Sequence, residues 1–521
     1  MGSQNIRSVR LRQLVFAVAA ISITVIPRDG LLAQELTGSV SEAEVWQEGS
    51  PREPDELVDP LEAGSTPSRE TDPALDELDR ENRPAISFAR QFLGLIDGVI
   101  DVALHAGPDV TTVELFHNGS SVGLRDTEPW SFRLDLGDAP LPGELLAVAR
   151  NQDGRKIGRV RQWLNLPRPW AEVAIILREG GDGRMVAHVT YDSVGGETPV
   201  RVSAAVNGNP VAVADFSTIA LPAVNLKHVH VLRVEAHFPK AGIASREVVF
   251  GGDYVHEENT ELSSVAVQLQ QQMELSPEDL EIVVDGESAS VVAIEKGPAD
   301  LIVVVDPAAL RRLPQVVSTV RQGPVKSSVI VARMAALTPG EPGVHLRLLW
   351  PVAVAGEGDQ GRQTGYRLFP STAPDDASDT TGLLWNLASA GFPPSNRAVR
   401  LADAVAVAGM MAIERSRRRA VLLLHGGSSS EGDSTPAAIR QYLNQLRVPL
   451  VVWSLGTPDE STIEEWGQIE VVSGSRSIRH AWTDLLRNLD LQRVVWVEGL
   501  HLPQEIELLG PDVAIAGTLQ P

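Results

Sequence analysis

A histidine that follows an apolar run is the first candidate for chemistry in this sequence. His425 comes after Leu422–Leu424 and before two glycines, so it could begin the oxyanion-binding loop of a hydrolase. Such an enzyme also needs a Gly-x-Ser-x-Gly elbow downstream, on a turn from a strand to a helix, and none follows residue 427. The literal match at Gly119–Gly123 lies between two predicted strands. We therefore interpret it as a turn and predict that the protein is not an enzyme. A hydrolase that uses His425 with Asp306 is the alternative.

Few other side chains have the spacing of metal ligands. His228 and His230 would place two imidazoles on one face of a strand, but no third ligand lies near them. An acidic loop could offer oxygens to Ca²⁺, although its spacing matches no EF-hand; it contains Asp375, Asp376, Asp379, Thr380 and Thr381. We expect a half-buried histidine pair and a solvated loop. The sequence has no cysteine, which excludes disulfides, thiolate metal sites and cysteine nucleophiles.

The charge balance argues against nucleic acid as a partner. The chain of 521 residues has 45 Lys and Arg against 68 Asp and Glu, a formal net charge of −23. Binding to phosphates needs a basic footprint, which this composition does not supply. No P-loop or Gly-x-Gly-x-x-Gly turn indicates a nucleotide, and we expect no cofactor. A short basic cluster at Arg415 and Arg417–Arg419 follows a predicted helix, and we interpret it as complementing the helix dipole.

The first 33 residues have the pattern of a secretory signal. Three arginines precede an apolar run from Leu14 to Ile26, which is shorter than the roughly 20 residues of a relaxed membrane span. We expect cleavage after Ala33 and export to the periplasm, the cell surface or the medium. A retained N-terminal anchor is the alternative, and we expect membrane contact only through this segment.

Residues 34–85 form an acidic, proline-rich stretch. It contains 15 acidic and 4 basic residues and prolines at 51, 54, 60, 67, 73 and 84. Such a segment has little apolar surface to offset the entropy of ordering, so we predict a disordered linker.

Two strand-rich modules follow, at residues 86–168 and 169–254. Asn118-Gly119 and Asp153-Gly154 separate short apolar runs in the first module, and such pairs accept the positive φ of hairpin turns. The motifs within Val113–Gly123 and Leu146–Gly154 resemble bacterial immunoglobulin-like modules. That resemblance implies a β-sandwich, and we expect a second sandwich in residues 169–254.

Strands alternate with helices over residues 299–498, which is the pattern of a doubly wound parallel sheet. Leu301–Val305 is an apolar strand that ends at Asp306. The order of elements, together with the segments Arg418–Leu424 and Leu446–Gly456, resembles von Willebrand factor type A domains. Leu275–Gly286 resembles a segment that precedes this domain in exported bacterial VWFA-related proteins.

The boundaries of this α/β region follow from the same pattern. We expect a connecting β segment at residues 255–298, an irregular insertion at about 355–396 and a last sheet strand at 493–497. Residues 499–521 are predicted to be a C-terminal tail. The predicted fold is therefore multidomain, with two all-β sandwiches followed by one α/β domain.

The resemblance implies a metal-ion-dependent adhesion site at the C-terminal ends of the parallel strands. The family's Asp-x-Ser-x-Ser motif corresponds here to Asp306 followed by Pro, Ala, Ala and Leu, so both hydroxyls are missing. Val399 falls where the family has Thr, and His425 falls at the family's Asp. One ligand of five remains, so we predict no high-affinity metal site. Asp306 and His425 could instead form a charge-assisted pair.

Taken together, these features predict an exported, non-enzymatic protein that binds a protein partner or serves as an adhesion scaffold. The predicted binding positions are Asp306, Val399 and His425. Without a metal ion, binding would use the loop rim, the insertion or the edges of the sandwiches. An inert structural spacer is a third possibility, and the oligomeric state stays open.

Overall fold

The computed structural model describes the chain from residue 85 to residue 517 with several gaps. The described residues are 85–92, 94–167, 171–180, 184–194, 196–239, 242–254, 261–317, 333–352, 354–355, 366–367, 371–372, 382–390, 399–428, 432, 434–510 and 513–517. The predicted signal, nearly all of the predicted linker and the acidic loop at Asp375–Asp379 lie outside these residues. No described helix has the length and apolar character needed to cross a membrane.

The first module is a seven-stranded sandwich. Its strands are β1 (Ile86–Phe88), β2 (Val99–Ala106), β3 (Thr112–His117), β4 (Ser120–Arg125), β5 (Ser131–Asp135), β6 (Gly143–Arg150) and β7 (Lys156–Leu164). They form a sheet in the order β1-β2-β5 and a sheet in the order β4-β3-β6-β7. One apolar core, which includes Val102, Leu115 and Leu145, lies between the sheets. The Gly-x-Ser-x-Gly match lies in the β3–β4 hairpin, where Gly119 has a φ of +74°.

The second module repeats this arrangement of three and four strands. Its strands are β8 (Ala171–Glu179), β9 (Met185–Ser193), β10 (Arg201–Val206), β11 (Asn209–Val211), β12 (Thr218–Ala220), β13 (His230–Phe238) and β14 (Gly242–Phe250). The sheet orders are β12-β9-β8 and β11-β10-β13-β14. Apolar residues from both sheets, such as Ala187, Leu232 and Val234, are fully buried between them.

A third sandwich is built from two segments that are far apart in the sequence. The first segment supplies β15 (Leu262–Leu269), β16 (Glu281–Val284), β17 (Glu287–Ala289) and β18 (Val291–Glu295). The second supplies β27 (Gln492–Glu498), β28 (Ile506–Leu509) and β29 (Val513–Ile515). The sheet orders are β18-β27-β15-β29 and β17-β16-β28.

This sandwich corrects three expectations from the sequence. The strand expected at 493–497 is β27, and it pairs antiparallel with β15 and β18 instead of joining the parallel sheet. The segment expected as a C-terminal tail contributes two strands, and the connecting β segment contributes four. An alternation of strand and helix cannot reveal which sheet the final strand joins, because that depends on partners more than 200 residues away.

The α/β domain lies between the two halves of the third sandwich. Its strands are β19 (Ala299–Val305), β20 (Val344–Leu349), β21 (Val354–Ala355), β22 (Tyr366–Arg367), β23 (Ser371–Thr372), β24 (Arg418–His425), β25 (Leu450–Ser454) and β26 (Glu470–Val471). The main sheet has the order β23-β20-β19-β24-β25-β26, in which β20, β19, β24, β25 and β26 are parallel and β23 is antiparallel. The β21–β22 hairpin stands apart from this sheet.

Helices cover both faces of this sheet. They are α1 (Pro307–Val317), α2 (Leu383–Ala390), α3 (Leu401–Ile413), α4 (Pro436–Gln445), α5 (Glu460–Trp466) and α6 (Ser475–Asp490). Helices α1, α2 and α6 pack on one face, and α3, α4 and α5 pack on the other. Every residue of β19 is buried, which explains why its sequence lacks the alternation of a half-exposed strand.

Hydrogen bonds join the modules to one another. The hydroxyl of Tyr442 on α4 donates to the carbonyl of Asn165 in the first sandwich, at 2.7 Å. Arg447 donates to three carbonyls of the third sandwich, those of Pro503, Gln504 and Ile506. The first and third sandwiches therefore both contact the α/β domain through bonds to its α4 side.

Two substitutions in β28, one buried and one exposed, test whether the C-terminal strands belong to the third sandwich. Ile506 is fully buried, whereas Leu509 is 48% exposed. Ile506→Ala should lower the free energy of unfolding by about 2–5 kcal/mol, because it leaves a cavity in the third sandwich. Leu509→Ala is the matched control and should change it by less than about 0.5 kcal/mol. Chemical denaturation of both variants measures the difference, and equal small effects would mean that residues 499–517 are only a tail.

Candidate functional site

The carboxyl edge of the parallel sheet holds two of the three residues singled out from the sequence. Asp306 directly follows β19, and His425 is the last residue of the neighbouring strand β24. The Asp306 side chain is fully buried. We call this edge, with the loops that follow β19, β24 and β25, the crown of the α/β domain.

Four hydrogen bonds occupy the Asp306 carboxylate. Oδ1 accepts the backbone N–H of Ala308 at 2.8 Å and the hydroxyl of Ser428 at 2.6 Å. Oδ2 accepts the backbone N–H groups of Gly426 at 2.7 Å and of Ser428 at 3.1 Å. A carboxylate has about four acceptor positions. All four are filled by donors from the same chain.

Two of these contacts have local structural causes. Asp306 precedes α1, whose first residue is a proline, and an aspartate at this position caps the free N–H groups of a helix. Gly426 lies so close to the start of α1 that a Cβ there would be 2.0 Å from the backbone nitrogen of Ala309. The loop after β24 can therefore reach the carboxylate only because residue 426 has no side chain.

His425 is buried at the crown, but it does not pair directly with Asp306. Its Nδ1 accepts the backbone N–H of Gly427 at 3.3 Å. Burial lowers the pKa of His425, although the nearby Asp306 charge opposes this change. The predicted charge-assisted pair is therefore corrected: Ala308 and the loop that follows His425, not the imidazole, donate the hydrogen bonds to the Asp306 carboxylate.

Val399 does not join these two residues. It is half-buried, forms a β-bridge with Val352 and packs against the apolar core on the α3 face. The acidic residue of the same stretch, Asp403, is bound by Arg400 at 2.6 Å and by the N–H of Ser434 at 3.3 Å.

Ser428 is the residue at this site that the sequence did not indicate. Its signal is its position, since it follows the glycine pair that ends an apolar strand. Ser428 supplies two of the four bonds to Asp306. Asp306 is therefore neither a free carboxylate base nor a bare oxygen ligand, and within the described residues no group of three or more His, Cys, Asp or Glu could hold a metal ion.

Of the two histidines considered as metal ligands from the sequence, His230 makes structural hydrogen bonds. His230 begins β13, and its ring nitrogens contact the amide of Asn207 at 2.9 Å and the carbonyl of Asn225 at 3.0 Å. His228 precedes the strand and is exposed. The two imidazoles consequently do not share one face of a strand, and this part of the prediction is wrong.

The opposite edge of the sheet contains a buried network of charges that joins three modules. Arg417 donates to both carboxylate oxygens of Glu235 in the second sandwich, at 3.0 and 2.5 Å. It also donates to Oδ1 of Asp300 on β19 at 3.2 Å. Arg233 of the second sandwich pairs with Glu295 of the third and lies over the ring of Trp496.

We call this network the charged joint. It comprises Arg233, Glu235 and Glu247 of the second sandwich, Glu295 of the third sandwich, and Asp300, Arg347, Glu414, Arg415 and Arg417 of the α/β domain. Unpaired charges are costly to bury, and alternating acids and arginines reduce that cost.

This joint corrects the interpretation of the arginine cluster. The last turn of α3 contains no basic residue. Arg417 pairs with two acids, and Arg418 donates to the carbonyls of Gly297 and Leu489. The cluster therefore connects modules and does not complement a helix dipole. A sequence pattern could not show this, because the acids that pair with Arg417 lie more than 100 residues earlier.

The pKa of each acid in the charged joint depends on which arginines face it. Burial alone would raise the pKa of Asp300, but the surrounding guanidinium groups, Arg417 first, lower it to about 2. Burial raises the pKa of Glu247, of Glu295 and of Glu414, because their arginine partners do not fully compensate. The arginines therefore hold the pKa of Asp300 and of Glu235 below their ordinary values, unlike those of the other three acids.

No protein-family model matches this sequence, and no curated protein does. Solved structures resemble parts of it. The fibronectin(III)-like modules of Clostridium thermocellum CbhA align over 34% of this chain and 100% of their own, with 15% identity and a TM-score of 0.14. A β-glycosidase from Bacteroides vulgatus aligns over 33% of this chain and 25% of its own, with 15% identity and a TM-score of 0.17.

The ArnB paralog VWA2 from Sulfolobus acidocaldarius aligns over more of the chain. It covers 60% of this chain and 67% of its own length, with 10% identity and a TM-score of 0.19. At such TM-scores these likenesses carry no argument about this protein. The β-rich, multidomain architecture with one parallel sheet covered by helices is established by the strand pairing itself.

A substitution at Ser428 measures how much its bond to Asp306 contributes to the free energy of unfolding. Ser428→Ala removes a 2.6 Å bond to a buried carboxylate, so we expect the free energy of unfolding to fall by about 1.5–3 kcal/mol. Ser461→Ala is the matched control, because the Ser461 hydroxyl donates to an exposed aspartate, Asp459, at 3.1 Å. The control should change stability by less than about 1 kcal/mol. Equal losses in denaturant unfolding would contradict a buried anchor at Asp306.

The lowered pKa of Asp300 predicts that the protein loses stability in acid. Its folded pKa of about 2 is below its ordinary value of 3.8, so its stabilising contribution is complete above pH 3.8 and is lost as the pH falls towards 2. Asp300→Asn should cost about 3–5 kcal/mol at neutral pH and abolish this part of the acid dependence.

A second aspartate serves as the control for Asp300. Asp490 pairs with Lys296 at 2.5 Å, but its side chain is 48% exposed. Asp490→Asn should therefore cost less than about 1 kcal/mol. Urea unfolding of both variants between pH 2 and pH 7 tests the prediction, and a loss of stability below pH 4 that is as large in Asp300→Asn as in the unmodified chain would refute it.

Proposed function

We propose that this protein is an exported, non-enzymatic scaffold that binds another protein without a bridging metal ion. One observation carries the proposal: the Asp306 carboxylate accepts four hydrogen bonds from its own chain. A metal ion could reach this oxygen pair only after the loop after β24 and the start of α1 had separated. A ligand must therefore be recognised by other groups.

The arrangement of modules supports a scaffold. The described residues form three sandwiches and one α/β domain, and buried bonds such as those of Arg417 and Tyr442 connect these modules. Outer strands offer unpaired backbone groups to an added strand. One such strand is β4, which lies at the edge of its sheet and carries Leu124, 54% exposed.

The resemblance to von Willebrand type A domains supports an interaction role by analogy. In this proposal the metal-binding motif has degenerated, since Asp306 remains while Val399 and His425 replace two other ligands. Export rests on the signal pattern of residues 1–33. The partner is a protein, and nucleic acid is not proposed as a ligand.

Divalent cations provide the test of this function. A ligand that binds only the folded state raises the melting temperature by mass action. We expect the full chain to melt at the same temperature, within about 1 °C, in EDTA and in millimolar Mg²⁺ or Ca²⁺. A rise of several degrees that Asp306→Asn abolishes would overturn the metal-free proposal.

The hydrolase alternative has its own test. A hydrolase would use His425 as a base, yet this imidazole is buried and bonded to the backbone of Gly427. We expect no hydrolysis of p-nitrophenyl acetate beyond the rate measured for His425→Gln. Ester hydrolysis that disappears in this variant would favour the enzyme instead.

A further inference from the structure

The topology of the sheet marks the place where a ligand would bind. The connection from β19 through α1 leads to β20 on one side, whereas β24, β25 and β26 extend the sheet on the other side. Open α/β sheets bind ligands outside the carboxyl ends of the strands where the strand order reverses in this way. In this protein that point lies between the ends of β19 and β24. The buried Asp306 carboxylate lies at this point, which we call the floor of the crown, but its oxygens already accept four hydrogen bonds from the chain.

An arginine lies above this floor. Arg312 belongs to α1 and is exposed. Its guanidinium lies against two loops: a Cβ at Gly427 would be 3.4 Å from Nη2, and a Cβ at Gly456 would be 2.7 Å from Nη1. Gly427 follows β24 and Gly456 follows β25. The guanidinium therefore lies in a notch between the two loops, and residue 456 can approach it this closely because it has no side chain.

The guanidinium in this notch is available to a ligand. Among the described residues, Arg312 has no hydrogen-bond or ion-pair partner. Asp459, an acid at the same end of the sheet, uses its carboxylate to cap α5, where it accepts the N–H of Thr462 at 2.8 Å. No described neighbour therefore neutralises this exposed cation, although the chain has a net charge of −23.

We propose that Arg312 binds a carboxylate of the partner protein directly, in the notch between Gly427 and Gly456. This inference rests on the proposed function and names the contact through which it acts. A guanidinium presents a planar fork of donors that matches the two oxygens of a carboxylate. The positive charge at the crown is thus supplied by a side chain.

Binding of an acidic peptide to the full chain tests this inference. The probe is fluorescein-labelled hexaglutamate, followed by fluorescence anisotropy in EDTA, with hexaglutamine as the peptide control. We expect Arg312→Gln to weaken hexaglutamate binding at least tenfold. Gly456→Ala should also weaken it, because the new Cβ displaces the guanidinium while its charge remains. Arg311→Gln removes an adjacent exposed arginine of α1 and should leave the affinity within twofold.

The outcomes separate this inference from the proposed function. Binding that persists in EDTA but is unchanged by Arg312→Gln would overturn the assignment of Arg312 and leave the metal-free function intact. Binding that requires Mg²⁺ would overturn both. No binding of hexaglutamate in any condition, or binding equal to that of hexaglutamine, would overturn the carboxylate assignment. Displacement of the peptide by inorganic phosphate at a hundredfold lower concentration than by acetate would assign the notch to phosphate instead.

Discussion

A carboxylate removed from water must find its hydrogen bonds inside the protein, and β19 imposes this constraint at both of its ends. Asp300, near the start of the strand, and Asp306, just after its end, are both fully buried. Arg417 donates a hydrogen bond to the first, and Arg347 and Arg415 lie within ion-pair distance of it. Backbone N–H groups and Ser428 satisfy the second. The central strand is thereby tied to a neighbouring module at one edge and to its own loops at the other.

These two solutions have different consequences. At the charged joint, charge is paired with charge, so the second sandwich and the α/β domain are coupled through groups that titrate. At the crown, the charge of Asp306 is met by dipoles and a hydroxyl, which removes it from chemistry with a ligand. Among the described residues, the charge at the glycine notch is then the guanidinium of Arg312, a group that can bind oxygen pairs without a metal ion.

The local chemistry of the crown was accessible from the sequence, but its contacts were not. An apolar strand followed by an aspartate correctly placed Asp306 at the carboxyl edge, and the second apolar strand placed His425 beside it. The predicted pairing of these two side chains was wrong, because the path of the loop after β24 decides which donor reaches the buried oxygens of Asp306. Ser428 reaches it only since Gly426 can lie against α1.

The sequence by itself determined the elements whose signal is local. Hydrophobic alternation, turn glycines and the buried run of β19 indicated strands, and helix α4 begins after Thr435, which caps it. Only the tertiary structure decided which strands share a sheet and which acid meets each arginine. β27 joins β15, and Arg417 meets Glu235, across long stretches of chain. Such contacts depend on how complete modules pack, and no pattern within a short window of sequence encodes that packing.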